Sequence, residues 1–238
     1  MEQNKTSKYF KYAIGEIILV MIGILLALQV NAWNQTRLDR IEEKNILANI
    51  HNEFVENKVL IEDMMRIETG ASKANMALMN LMGSSKEELS NHNLDSLFYE
   101  SLPAAQFTSS QQSISNIIQN GKLNIIKDKS AIKLIYQWES LVKAVVNRET
   151  LQDDWAQNYI MPFIAKYISF KQMDNQGDFT WTGKSKLKKD YYPLFQELEY
   201  ENYMDNFLFL RKKSFERYEE ALILIDKIIE VTSPYKKQ

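Results

Sequence analysis

The 238-residue chain contains no cysteine. That absence removes disulfides, thiolate catalysis and cysteine-based zinc sites, and it leaves the redox compartment open. Histidine is scarce, with only His51 and His92, too few for a multi-histidine metal site. Seven glycines and four prolines are few chain-breakers for this length. They favour long helices over a fold of many strands and turns. The net charge is −2, so there is no basic footprint and nucleic acid is not an expected partner. No serine nucleophile elbow is present either.

What the chain does have is one apolar run near its start. From Ile17 to Leu28 every side chain is apolar except Gly23, which has none. Twelve residues make a helix of only about 18 Å, short of a hydrocarbon core of about 30 Å. Extended from Tyr12 to Trp33 the run reaches roughly 33 Å. Tyr9, Phe10 and Tyr12 then flank one end and Trp33 the other, where amphipathic rings prefer the headgroup level. The expected layout is a basic tail over residues 1–11, a membrane-spanning helix over 12–33 and a helical bundle over 34–238. A cleaved signal peptide is the alternative, with Lys5, Lys8 and Lys11 as its basic region. The acid Glu16, the large flanking aromatics and the polar Gln29-Val30-Asn31 segment stand against it.

At about 100° per residue, Tyr12, Glu16, Val20, Gly23, Ala27, Val30 and Asn34 share one side of the helix. Gly23 and Ala27 form a small-xxx-small pair that lets two backbones approach. An acid in a bilayer turns to a partner, to water or to the protein interior. Glu16, Val20, Gly23, Ala27 and Asn34 are therefore the candidate packing or functional face. A homo-oligomer through this face is one reading; a Glu16 wetted near the interface beside Lys11 or Tyr12 is the other. Three basic residues precede the span and Arg37, Arg40 and Lys44 follow it, so the positive-inside rule is nearly silent. The short basic tail is the part more easily retained, which orients the amino terminus inward and the large domain outward.

After Trp33 no Gly or Pro occurs before Gly70, so helix is expected to run on from the membrane. Apolar residues recur at Ile46, Ile50, Phe54, Ile61, Met64 or Met65 and Ala71. Lys58 and Glu68 interrupt strict heptads. Met76 to Met82 reads as core filler ending at Gly83. Ser85 and Glu88 form a capping box, and Asn93 to Leu102 reads as a short helix stopped at Pro103. Asn120-Gly121 suits a left-handed cap. Asp128 or Ser130 can start a long helix, with Ile132, Ile135, Tyr136, Leu141, Val142, Val145, Val146, Leu151 and Trp155 on its buried face and Pro162 kinking it. Residues 169–193 read as the main loop, with a short extended piece at Phe179–Thr182. The last helix covers roughly Glu199 to Val231, its core face being Phe207, Leu210, Phe215, Tyr218, Leu222, Ile225 and Ile229. The fold class is all-α: one transmembrane helix continuing into a soluble antiparallel bundle.

In GDFTWTGKS, residues 177–185, five residues rather than four separate the glycines, and Phe179 and Trp181 lie between them. That does not make a phosphate loop. Asp174, Gln176 and Asp178 alternate as in a calcium loop, but the sixth position is Phe179 and the twelfth is not Glu. His51, with Glu53 and Glu56 nearby, lacks a second His four residues away, and reads as an exposed or half-buried structural residue. His92 reads as a loop residue. Asp153-Asp154, Glu199 with Glu201, and Glu219-Glu220 diverge on their helices and read as solvated faces. Lys184, Lys186, Lys188 and Lys189, followed by Tyr191 and Tyr192, form a basic patch able to meet lipid headgroups if the loop folds back. No metal or cofactor site is expected, and no enzyme activity.

The anchor residues Tyr12, Ala13, Ile14, Gly15, Glu16, Ile17, Gly23, Ala27, Leu28, Gln29, Asn31, Trp33 and Asn34 carry a resemblance. With them the chain resembles an uncharacterised family of single-pass Bacteroidota membrane proteins, domain-of-unknown-function family 6090. Ile118–Ile126 and the acid-rich last helix fit more weakly. The resemblance implies a bacterial, hence inner-membrane, protein with a mainly helical domain, and it transfers no activity. Members often carry a few more basic residues before the anchor than this chain does. Two functions are expected from different classes. The first is a membrane-anchored interaction or scaffold protein, bound to the bilayer, to itself and to a protein partner. The second is a ligand-sensing bundle with a pocket near Trp138, Trp155 or Trp181. A weaker third is an oligomeric channel lined by Glu16.

Overall fold

The computed structural model describes residues 3–102, 106–187 and 189–235, with side chains from residue 12 onward. The side chains of the basic tail, Pro103 and Lys188 lie outside the described residues. All regular structure among the described residues is helical.

α1 runs from Gln3 to Asn80, 78 residues without interruption, or about 117 Å. Its amino-terminal part is long and apolar enough to cross a membrane. Its most apolar 18-residue window has a mean hydropathy of 2.4, and none of that window is buried. The helix passes through Gly70, although glycine costs about 1 kcal/mol in a helix interior. Ala71, Ala74 and Leu78 beyond it are buried, and their packing offsets that cost. Asn34 to Ile41 form a largely exposed stalk, Glu42 pairs with Lys122, and burial against the bundle begins at Glu43. Gly83, at φ 76°, closes the turn after α1.

α2 (Lys86–Ser90) is capped by Ser85, and α3 (Leu94–Ser101) by Asn93. α4 (Gln112–Gln119) ends at Asn120-Gly121, with Gly121 left-handed at φ 65°. α5 (Lys129–Trp155) starts on Asp128, whose carboxylate accepts from the Ser130 and Ala131 N–H groups at 2.8 and 3.2 Å. Pro162 does not break this helix. A π turn over Ala156–Ile160 precedes it, and α6 (Met161–Ile164) carries on. A π turn is one way a helix absorbs the missing proline N–H. α7 (Phe170–Met173) follows, and α8 (Leu198–Thr232) closes the bundle. The stretch Phe179–Thr182 is a turn and not an extended piece; the Thr182 hydroxyl donates to the Phe179 carbonyl.

Side-chain pairs set the directions of the three long helices. His51 meets Thr232, Lys58 meets Asp226 and Glu68 meets Arg211, so α8 runs antiparallel to α1. Glu149 meets Tyr218, and Trp155 meets the Tyr203 carbonyl, so α8 is antiparallel to α5 as well. The core falls in two parts. The part nearer the apolar span gathers Leu47 to Met64 of α1, Ala131 to Val145 of α5 and Tyr218 to Ile228 of α8. There Phe54 and Trp138 meet edge-on at 5.0 Å. The distal part gathers Leu78, α3, the π turn, α6 and Leu194 to Phe207. Of the anticipated α5 face, Tyr136, Val146 and Leu151 are exposed, and Ala131, Trp138, Glu149 and Gln152 are buried instead.

Replacing the cap, Asp128→Ala, leaves two N–H groups of α5 without their acceptor. It is expected to cost about 1 kcal/mol, measured as a lowered urea midpoint of the detergent-solubilised protein.

Candidate functional site

Two features of α1 stand apart from ordinary core packing. The first is the anchor face. Glu16, Val20, Gly23, Ala27 and Asn34 all lie in the exposed part of α1, and helical geometry puts them within an arc of roughly 60°. A methyl group added at Gly23 would meet nothing within 4 Å. The glycine is therefore not required by packing within the chain, and its surface is open to another helix.

The second is a polar layer between the two halves of the core, supplied by all three long helices. Glu68 comes from α1, Glu149 and Gln152 from α5, and Arg211 and Ser214 from α8; all five are buried. Arg211, 1% exposed, donates from Nη1 to Glu68 at 2.7 Å and from Nη2 to the Ser101 carbonyl at 2.6 Å. Its guanidinium lies over the Phe207 ring at 4.5 Å. Burial pushes the guanidinium down from its ordinary value, and Glu68 opposes that shift. Gln152 donates to Glu68 at 3.4 Å. Glu149 accepts from the Tyr218 hydroxyl at 2.7 Å and the Phe107 N–H at 2.9 Å. Burial raises its carboxyl above the usual range, although these two bonds favour the charged form. Burial, and then the bond to Glu149, raise the Tyr218 phenol.

Around this layer, polar side chains of α1 hold irregular backbone and the open ends of α3 and α4. Asn57 exchanges two bonds with Ser110, receiving its N–H at 2.7 Å and giving to its carbonyl at 2.8 Å. Glu53 accepts from the Ser113 N–H at 2.6 Å, and Glu43 accepts from the Lys127 N–H. Asn75 donates to the Ser101 carbonyl at 3.0 Å. Buried backbone donors need such partners. These acids and amides sit on the core side of α1, where a purely apolar pattern search skips them. Their signal was their phase: Glu43, Glu53, Asn57, Glu68 and Asn75 fall within roughly 80° of one another on the helix.

The main loop is docked and not free. Asp95 of α3 accepts from Lys189 at 2.7 Å, from Gln172 at 2.9 Å and from the Tyr191 hydroxyl. Burial works to raise its carboxyl, but these three bonds and the Lys189 charge together hold it below the usual range. Tyr191 stacks on Phe98 at 5.8 Å. Gly177 approaches Tyr99 so closely that a methyl group there would come within 2.7 Å of Cζ. An open cleft of about 400 Å³ adjoins, lined in part by Lys86, His92, Asp95, Lys189 and Tyr192.

The remaining sequence candidates disperse. His51 is buried, beyond the half-buried environment expected, with Nδ1 3.1 Å from the Thr232 hydroxyl. His92 is an exposed residue between α2 and α3. Lys189 is paired, and Lys184 and Lys186 are exposed. Trp138 is fully buried among Phe54 and Phe107, Trp155 stacks on Tyr159 at 4.2 Å, and Trp181 is 67% exposed. Asp153 is half-buried, and Asp154, Glu199, Glu201, Glu219 and Glu220 are exposed. Among the described residues no three His, Asp or Glu side chains group as metal ligands. Comparison with family models, with curated proteins and with solved structures found no match.

Arg211→Leu leaves Glu68 buried and uncompensated. It is expected to cost about 3–5 kcal/mol, and Glu68→Leu/Arg211→Leu to cost less than the single change; a double-mutant cycle by urea unfolding in detergent checks this. Glu149 has a second consequence. Its folded carboxyl binds protons more tightly than the unfolded one, so its contribution to stability falls as pH rises from about 4.5 through the raised value. Glu149→Gln is expected to flatten that part of the stability profile, read by thermal melts between pH 4 and 8.

Proposed function

We propose that this protein is a membrane-anchored helical interaction module, held in the bacterial inner membrane by residues 12–33. Its bundle stands on the periplasmic side and its amino terminus in the cytoplasm. One observation carries the reading: α1 passes without a break from an exposed apolar span into the centre of the folded domain. A cleaved leader has no reason to share a helix with the core it leaves behind. An exposed apolar surface of this size is a contact surface for lipid or protein. The tryptophans named for a ligand pocket are packed on neighbours or open to solvent, which favours interaction over sensing.

Three measurements test it. Alkaline carbonate is expected to leave the protein in the membrane fraction; extraction counts against anchoring. A reporter fused after Gln238 is expected to report from the periplasm; a cytoplasmic signal reverses the orientation. Detergent-solubilised protein is expected to run larger than a monomer, and Gly23→Leu to reduce that size. An unchanged size in the variant counts against packing through the anchor face.

A further inference from the structure

The anchor face does not end at the membrane. Beyond Asn34 the same side of α1 carries Leu38 and Ile41, 45% and 49% exposed. From Glu16 the positions run Val20, Gly23, Ala27, Val30, Asn34, Leu38, Ile41, at steps of three and four. That is the spacing of a coiled-coil seam, with one extra step of four at Leu38. The face lies about half a turn from the side that Leu47, Ile50, Phe54 and Ile61 bury in the bundle. A helix laid along it therefore meets no part of the chain's own domain.

We propose that a second copy of this chain packs in parallel along α1 from Glu16 to Ile41, so that the seam extends beyond the bilayer into the stalk. The proposal rests on the anchoring reading, because the membrane is what aligns the two copies. Every copy enters with the same direction and depth, so its neighbour presents Leu38 and Ile41 at the same height. The charges beside the seam are self-complementary. Parallel helices bring together flanking residues five apart, which sets Arg37 of one copy against Glu42 of the other. Among the described residues Arg37 meets Asn34, at 3.5 Å. Glu42 engages Lys122 through Oε1 at 2.6 Å within its own chain, and the facing Arg37 would be a second cation on the same carboxylate. Asn34, polar between Val30, Leu38 and Ile41 on this face, sets the register of such a pair.

The seam also has an upper end. Ala48 is on the same side of α1 but only 2% exposed. There the 3-10 turn Ser233–Tyr235 packs on α1, next to the His51–Thr232 bond. The two helices part at that point, and the bundles stand on opposite outer sides of the pair.

Because the chain has no cysteine, each introduced cysteine is the only thiol. Leu38→Cys, Ile41→Cys, Thr36→Cys and Arg40→Cys, each in the full chain in native membranes, are treated with a mild oxidant. Thr36 and Arg40 are exposed but lie more than a quarter turn off the face. Disulfide-linked dimer is expected at positions 38 and 41, several-fold above the yield at 36 and 40. Equal yields at all four positions, or none at any, overturn the seam. Carbonate extraction of the same variants reads anchoring separately. Protein that stays in the membrane without the preferred cross-links overturns the seam and leaves the anchored reading standing.

Discussion

A guanidinium and a carboxylate taken out of water together lose hydration that their mutual attraction only partly restores. Glu68 and Arg211 are buried as such a pair, and the constraint they impose is positional. Apolar side chains tolerate small slips of one helix along another, because one methylene contact resembles the next. A slip of α8 by one turn against α1 would carry Arg211 about 5.4 Å away, strand both charges and separate the guanidinium from the Ser101 carbonyl. Glu149 and Tyr218 impose the same condition between α5 and α8. The layer sits where all three long helices cross, with apolar packing on either side. It sets the register from which both halves of the core are packed.

The acids and amides of α1 extend this logic to the loops. Segment 106–111 and the residues around Lys127 have no regular hydrogen-bonding partners, yet they pass over the core. Asn57, Glu53 and Glu43 supply acceptors to Ser110, Ser113 and Lys127, and Asn57 also donates back. The amide of Asn57 mimics a backbone strand edge for one residue. With Glu149 capping the Phe107 N–H, the link from α3 to α5 is tied to the long helices by side chains.

Much of the architecture was legible in apolar spacing and chain-breakers. The unbroken run to Gly70 foretold the long first helix, and Ser85, Asn93 and Asp128 foretold three helix starts. On α8, Phe207, Tyr218 and Ile225 are buried as their spacing predicts, and the other four positions of that face are one residue out of phase. Leu210, Phe215, Leu222 and Ile229 flank the core and are partly exposed, whereas Arg211, Ser214, Ala221 and Ile228 fill it. Apolarity pulled the reading toward the larger neighbours, because an arginine at a core position has no apolar signal and its partner lies 143 residues away. Lys58 and Glu68 looked alike as interruptions. One forms a partly exposed pair with Asp226 and the other lies in the centre of the polar layer. The π turn was hidden for a similar reason: Pro162 announces a disturbance, but its form depends on packing around Ala156 and Ile160.

The apolar span and the polar layer belong to one helix, and that links the span to the core. Between Glu16 and Glu68 α1 has no proline, and Gly23 is its one glycine. No kink-prone site lies between Trp33 and the layer. A rotation of the anchor about its axis must either be carried up to Glu68 or be absorbed in the stalk, Asn34 to Ile41, where α1 has few contacts beyond its own turns. At Glu68 the helix is held by Arg211 and Gln152, and at Glu43 to Asn57 by the loop bonds. To the extent that the stalk holds its twist, a contact at position 23 and the charge pair at positions 68 and 211, about 68 Å apart along α1, are coupled through one continuous helix.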